Sequence, residues 1–244
     1  MSKLIFFDTE TTGNTEKDFL IQIAYKSKDG SFTGLYKPEI KIPPEASAIH
    51  HITNKMVANK PTFKESTDQM FIKKLFEEKD SVVVAHNAPF DLAIIKKENI
   101  EPKNFICTLR LARYLDKEEK IDRYNLQYLR YLLDIELEAT AHDAMGDVLV
   151  LEKLFERLKN KMMLEITTEG EKKQTEDEVI KKMIEISSHP SLLHTFKFGK
   201  HNGKRIEDVI KIDRGYLQWL LDQKLNGDGI DEDWIYTLKH YLEK

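Results

Sequence analysis

Three short segments of this 244-residue chain gather carboxylates and histidines at spacings that suit metal-ion chemistry. The first is Phe7-Asp8-Thr9-Glu10-Thr11-Thr12-Gly13, preceded by the apolar run Leu4-Ile5-Phe6-Phe7. In an extended strand, side chains at i and i+2 share a face. Asp8 and Glu10 therefore project together from the strand end, beside a loop that Gly13 allows to turn. Two carboxylates held this close repel each other unless one is protonated or a cation lies between them. An all-oxygen ligand set suits Mg²⁺ or Mn²⁺ rather than a softer metal. By itself an Asp-x-Glu is a common surface feature.

The second segment, His86-Asn87-Ala88-Pro89-Phe90-Asp91, follows the β-branched run Val82-Val83-Val84. Pro89 fits the first turn of a helix, where its missing N–H is not needed, and this places Asp91 early on that helix. Alone, an acid there needs no role beyond the helix dipole. The third segment, Ala141-His142-Asp143-Ala144-Met145-Gly146-Asp147, opens a long amphipathic helix. His142 precedes the helix, Asp147 lies in its early turns, and Asp143 suits a local cap better than a ligand. Asp147 interrupts an apolar-rich stretch, and a carboxylate near a core needs a partner. A metal ion would be one.

The elements that must position these residues form an α/β pattern over residues 1–160. The N-terminal strand, Phe19 to Tyr25 and Phe32 to Tyr36 predict three antiparallel strands, the last two joined by a hairpin turn at Asp29-Gly30. Ser81 to Ala85 reads as a central strand, and the segments after it read mainly as helices. Ala144, Val148, Leu151, Phe155 and Leu158 recur at helical spacing on one face. Residues 161–190 change character. Glu165 to Glu178 has the composition of a charged linker, and Val179 to Ile186 restores a helix that His189-Pro190 ends. Residues 191–244 carry their own apolar set, enough for a small α+β accessory domain that would be marginal alone.

That last region contains Phe196-Lys197-Phe198-Gly199-Lys200-His201-Asn202-Gly203-Lys204-Arg205-Ile206. Its glycines enclose too few residues for a phosphate loop, and Arg205 stands where Ser or Thr would be needed. The stretch reads instead as a hairpin with a type I′ turn at Asn202-Gly203. Between His194 and Gln218 there are six Lys/Arg against three acids, so Lys200, Lys204 and Arg205 are candidates for gripping DNA phosphates. Lys73-Lys74 and Lys96-Lys97 read as solvated helix faces.

Across the whole chain 38 basic residues meet 42 acidic ones, for a net charge of −4. A phosphate-binding protein can carry such a balance when cations offset the carboxylates of a metal site. Cys107 is the sole cysteine, which excludes an internal disulfide and fits a reducing cytoplasm. No leader pattern or membrane-length apolar run is present, so no membrane association is expected.

Taken in order on α/β elements, the three segments resemble the three exonuclease motifs of the DEDDh family, also called DnaQ-like, which has an RNase H-like fold: a mixed sheet flanked by helices. The resemblance covers residues 1–160. It extends to Pro44–Thr53, similar to the family's linking segment, and to Cys107–Arg113, similar to its stretch after the second motif. The small basic domain resembles the C-terminal domain of some bacterial exonuclease X-like proteins. What the resemblance implies is a metal-dependent 3′→5′ exonuclease that releases nucleoside 5′-monophosphates from a free DNA 3′ end. Asp8, Glu10 and Asp147 would be direct metal ligands, with Asp91 completing the site partly through water. Two cations, Mg²⁺ or Mn²⁺, about 4 Å apart would straddle the scissile phosphate. His142 matches the general base, a task suited to imidazole near neutral pH. Thr11 and Thr12 match positions beside the terminal nucleotide, and Asn87 would reach a phosphate or sugar. His86 and Phe90 are left as structural residues, and His50 and His51 as polar residues of a helix or loop.

Three alternatives share these motifs: a proofreading subunit bound to a DNA polymerase, an RNA-trimming enzyme, and a nucleic-acid-binding module without catalysis. The last should lack an acid, whereas all four acids and the histidine are in place.

Overall fold

The computed structural model describes residues 2–168, 175–227, 229 and 231–243. Its centre is a five-stranded sheet of β1 (Lys3–Thr11), β2 (Leu20–Ser27), β3 (Gly30–Leu35), β4 (Ser81–Ala85) and β5 (Phe105–Cys107), in the order β3-β2-β1-β4-β5. The first three strands are antiparallel, while β1, β4 and β5 run parallel. This is the mixed sheet expected. The hairpin turn lies one residue earlier than predicted: Ser27 pairs with Gly30 across Lys28-Asp29, and Gly30, at φ 145°, opens β3. β5 was not expected, because three residues are too few to show a period.

Alternation along β1 divides the interior in two. Ile5 and Phe7 enter a core shared with α3 (Thr67–Glu77) and α4 (Ala88–Lys97), where Phe7 meets Phe76 edge to face at 5.2 Å. Phe6 points the other way, against Phe155 at 5.3 Å. Ahead of α3, the short helices α1 (Pro44–His50) and α2 (Asn54–Val57) surround Ile21 and Ile42 in a separate small cluster. Beyond β5 come α5 (Thr108–Leu115), α6 (Leu126–Leu132), α7 (Ala144–Thr168) and α8 (Glu176–Ser187).

The charged stretch from residue 161 departs from the linker expectation. α7 runs through it to Thr168, and residues 169–174 lie outside the described residues. α8 starts at a capping box formed by Thr175 and Glu178. Val179, Ile180 and Met183 on α8 are buried in the same core as Phe6 and α7. Burying side chains of this size contributes on the order of 1.5–3 kcal/mol each. The helix read from Val179 to Ile186 is thus present within α8, and the linker-like composition belonged to residues 165–178 ahead of Val179.

α9 (Ile206–Ile212), α10 (Arg214–Asn226) and α11 (Glu232–Leu242) pack around Phe196, Val209, Leu217, Trp234 and Leu238. The β part of the expected α+β domain is a single bridge, Thr195 to Arg205. The turn at Asn202-Gly203 is of type II, not I′. Asn202 has φ −49° and ψ 131°, Gly203 has φ 81°, and Lys204 N–H donates to His201 O at 3.0 Å. A 3₁₀ turn at Gly199–His201 precedes it.

This helical unit is clamped to α5. Arg110, only 4% exposed, donates to Asp233 and Glu232 of α11 and to Ser187 O, and Arg113 pairs with Asp233 as well. Asp233 also accepts the Ser191 N–H at 2.8 Å. Nearby, Glu119 accepts the His194 N–H at 2.8 Å.

Candidate active site

β1 outruns its parallel neighbour. Pairing with β4 ends at Phe6–Val84, while pairing with β2 continues and shifts register between Glu10 and Thr11. Asp8 and Glu10 precede that shift and keep the regular alternation of the strand. Asp8 and Glu10, on the Phe6 face, therefore point toward α7, whose first turn carries Asp147. Ligand oxygens of Asp8, Glu10 and Asp147 all lie within 4.8 Å of one another.

The electrostatics are those of an uncompensated acid cluster. Burial, followed by Asp91 and the other neighbouring carboxylates, holds Asp8 well above the usual range. Glu10 is pushed up to about 8 by burial and then by Asp147 and Asp91. Burial also raises Asp147 and takes Asp91 to about 7. A divalent cation would displace these protons and supply the missing positive charge, so the donor set fits one.

Asp91 approaches from the other face of the sheet. Its Oδ1 accepts both the Thr9 N–H, at 3.1 Å, and the Thr9 hydroxyl, at 2.7 Å. It sits beside the close trio without belonging to it. Asn87 caps α4 in the left-handed region (φ 62°) with no side-chain bond to the helix, a conformation Asn tolerates better than most residues.

His142 is exposed at the entrance to α7, also left-handed at φ 58°. Its N–H donates to Asp147 Oδ2 at 3.0 Å. Asp143 caps as expected, accepting Gly146 N–H at 3.2 Å. Two glutamines complete the arrangement. Gln127 on α6 donates to Asp147 Oδ1. Gln22 lies opposite Glu10 on β2, donates to Asp143 Oδ1 at 3.3 Å and accepts the Ala144 N–H at 3.1 Å. Sequence reasoning named neither glutamine, nor Thr9. Gln22 had a usable signal, as a polar side chain inside the apolar strand Leu20-Ile21-Gln22-Ile23-Ala24. Gln127 had none.

Other expected residues divide clearly. Thr11 and Thr12 are buried beside Glu10, but the Thr12 hydroxyl donates to Asp18 at 2.9 Å and accepts from Phe19 N–H at 3.0 Å. That hydroxyl holds the loop, and the Thr12 main-chain N–H is likewise spent, donating to Phe19 O at 3.0 Å. The Thr11 hydroxyl donates to Gly13 O. His86 is structural: its ring bonds Thr108 Oγ1 and Tyr124 O, and burial lowers it to about 4. Phe90 packs against the α4 core. His50 is buried at the end of α1, accepting the Ile52 N–H, and His51 caps that helix. The structure does not bring Lys200, Lys204 and Arg205 into contact with the carboxylates. Lys200 pairs with Asp213 at 2.7 Å and lies over Tyr216, Arg205 pairs with Glu207, and Lys204 is exposed.

Fold and cluster together define the RNase H-like class of nucleases, with a donor set suited to divalent metal. Within that class the chain belongs to the Exonuclease family, which matches residues 5–155. A second match, Exodeoxyribonuclease X-like C-terminal, covers residues 196–224. Exodeoxyribonuclease 10 of Escherichia coli (strain K12) is 32% identical, across 98% of this chain and 99% of its own length. DNA polymerase III subunit epsilon of Treponema pallidum (strain Nichols) is 36% identical, across 61% of this chain and 73% of its own. Exonuclease X in complex with 5′ overhanging duplex DNA superposes with a TM-score of 0.56 at 26% identity, covering 75% of this chain and 99% of that one. The zinc-bound complex of E. coli exonuclease I with single-stranded DNA gives 0.52 at 22% identity, a likeness of fold. Among the described residues no helix is long and apolar enough to cross a membrane.

Proposed function

We propose that this chain is a metal-dependent 3′→5′ exodeoxyribonuclease, with Asp8, Glu10, Asp91, His142 and Asp147 as its active site. The observation that carries the proposal is the convergence of Asp8, Glu10 and Asp147 within 4.8 Å, with their carboxyls forced toward protonation. These three would hold two Mg²⁺ or Mn²⁺ ions, with Asp91 contributing partly through water. When bound, the metal supplies Lewis acidity and charge neutralisation at the scissile phosphate. Thr9 fixes the Asp91 carboxyl, and Gln127 fixes that of Asp147. His142, exposed at the rim, takes a proton from the attacking water at its ring. Thr11 and Thr12 lie beside the terminal nucleotide, and the amide of Asn87 reaches its phosphate or sugar. The segment carrying Lys200, Lys204 and Arg205 grips the DNA backbone, after its ion pairs exchange for phosphates. Residues 1–160 are read as the exonuclease domain and 191–244 as an accessory domain. The single cysteine fits a cytoplasmic enzyme.

The test is digestion of 5′-labelled single-stranded DNA and RNA with Mg²⁺, Mn²⁺ or EDTA, alongside Asp147→Ala. A descending ladder on DNA, lost with EDTA and with the variant, is the expected result. Faster decay of RNA would reassign the substrate, and no ladder from folded protein would reject the reading. The similarity to the Treponema epsilon subunit favours proofreading on a polymerase as a second reading. Co-elution with a replicative polymerase would support it.

A further inference from the structure

α6 turns Gln127 toward the carboxylate cluster and borders an open depression of about 370 Å³, lined by Arg123, Asn125, Gln127, Tyr128, Tyr131 and Leu132. In a chain with net charge −4, this lining holds a cation and no acid. Tyr131 is 73% exposed and Leu132 47%. Scattered exposed apolar side chains are ordinary, but an aromatic and aliphatic lining gathered in one concavity marks a binding surface. The tyrosine is also oriented. Arg130 lies over its ring at 5.5 Å and is itself anchored to Leu137 O and Ala139 O. Gln127 touches both Asp147 and the depression, so the concavity borders the acidic cluster through that one side chain.

We infer that this depression is a subsite for the substrate strand, holding unpaired nucleotides 5′ of the scissile phosphate by stacking on Tyr131 and Tyr128, with Arg123 against a phosphate. The inference rests on the exonuclease reading above and adds a residue set to it. Aromatic faces beside a cation suit single-stranded nucleic acid, whose bases are free to stack. A duplex already stacks its bases internally, so the exposed tyrosine ring favours a single strand as the occupant.

The test compares a long oligodeoxythymidylate with the p-nitrophenyl ester of thymidine 5′-monophosphate, which is too short to enter the depression. Wild type, Tyr131→Ala, Tyr131→Phe and Arg123→Gln are assayed with Mn²⁺ on both substrates. The preference for oligonucleotide over ester, as a ratio of kcat/KM, should fall about tenfold in Tyr131→Ala, within the range for loss of one stacked base. The change should appear in KM for the oligonucleotide, and Tyr131→Phe should restore it. Arg123→Gln should lower the same ratio and flatten its salt dependence. An unchanged ratio in both Tyr131→Ala and Arg123→Gln overturns the subsite, including when both substrates slow equally, since that reports only a structural role. Wild-type protein inert on both substrates would instead overturn the exonuclease reading itself.

Discussion

Asp147 Oδ2 accepts the main-chain N–H of His142 at 3.0 Å, so the acid that opens α7 holds the backbone of the residue assigned to proton transfer. His142 adopts φ 58°, a conformation that persists in non-glycine residues when surrounding contacts over-determine it. The other oxygen of Asp147 is taken by Gln127. Both oxygens thus have fixed donors, and the His142 ring can change without altering either bond.

Separating the two roles is therefore possible. His142→Asn keeps the backbone N–H and tolerates the left-handed conformation. It should lower kcat by about 10²–10⁴-fold while Mn²⁺ binding, followed by calorimetry, stays near wild type. Asp147→Asn should remove both. Equal loss of Mn²⁺ affinity in the two variants would contradict the assignment.

Gln127→Leu removes the donor to Asp147 Oδ1 and leaves the apolar volume roughly intact. Groups that orient a metal ligand typically affect affinity by 10–100-fold. The variant should need about tenfold more Mn²⁺ for half-maximal activity, with kcat recovered at saturation. A lowered kcat at saturating Mn²⁺ would show that Gln127 does more than aim the carboxylate.

The acid cluster predicts a definite pH dependence for the metal-free protein. Glu10 titrates near 8 and Asp91 near 7 in the fold, against ordinary values of 4.5 and 3.8. Between those limits the folded state binds more protons than the unfolded one, so stability falls as pH rises. With EDTA, Tm should decline from about pH 5 to about pH 8, and Mn²⁺ should raise Tm more at the upper end. A Tm that ignores pH under EDTA would argue against the raised values.

Gly146 is required by space. A Cβ there would overlap the carbonyl oxygen of Thr140, a main-chain atom that cannot swing aside. Gly146→Ala should cost about 1–3 kcal/mol through overpacking. It should also lower kcat, because the displaced segment leads into His142. Chemical denaturation and steady-state assays would show both, and unchanged stability would refute the steric account.

Removing Asp233 leaves Arg110, 4% exposed, and Arg113 without their shared carboxylate. Breaking a buried pair from one side costs about 3–5 kcal/mol. Asp233→Ala should lower Tm accordingly and expose the 191–244 unit to protease before the rest. Simultaneous loss of both parts would mean that the clamp does not separate two cooperative units.

How much of this was legible depended on whether a signal was local. The gathering of Asp8, Glu10 and Asp147 was readable from the three runs taken together, since each run alone had an ordinary alternative. Gln127 was not, since Leu126-Gln127-Tyr128 looks like any helix surface and its meaning comes from Asp147, distant in sequence. The Arg110–Asp233 clamp was hidden for the same reason. β5 was too short to register, whereas the helical spacing of Val179, Ile180 and Met183 was read correctly and lies in α8. At Asn202-Gly203 the dipeptide announced a turn correctly but not its type, since Asn202 at φ −49° lies outside the left-handed region that a type I′ turn needs.

Cys107 lies at the end of β5 with no exposed surface, and its N–H is bonded to Ser187 Oγ at 2.8 Å. The only thiol in the chain is thus sealed where the sheet meets α8. Alkylating reagents should react with it only as fast as this junction opens, so the labelling rate becomes a clock for opening. A second cysteine placed at exposed Leu132, beside the stacking tyrosine, would take a fluorophore while the native thiol stayed silent, giving a strand-binding reporter without any cysteine having to be removed.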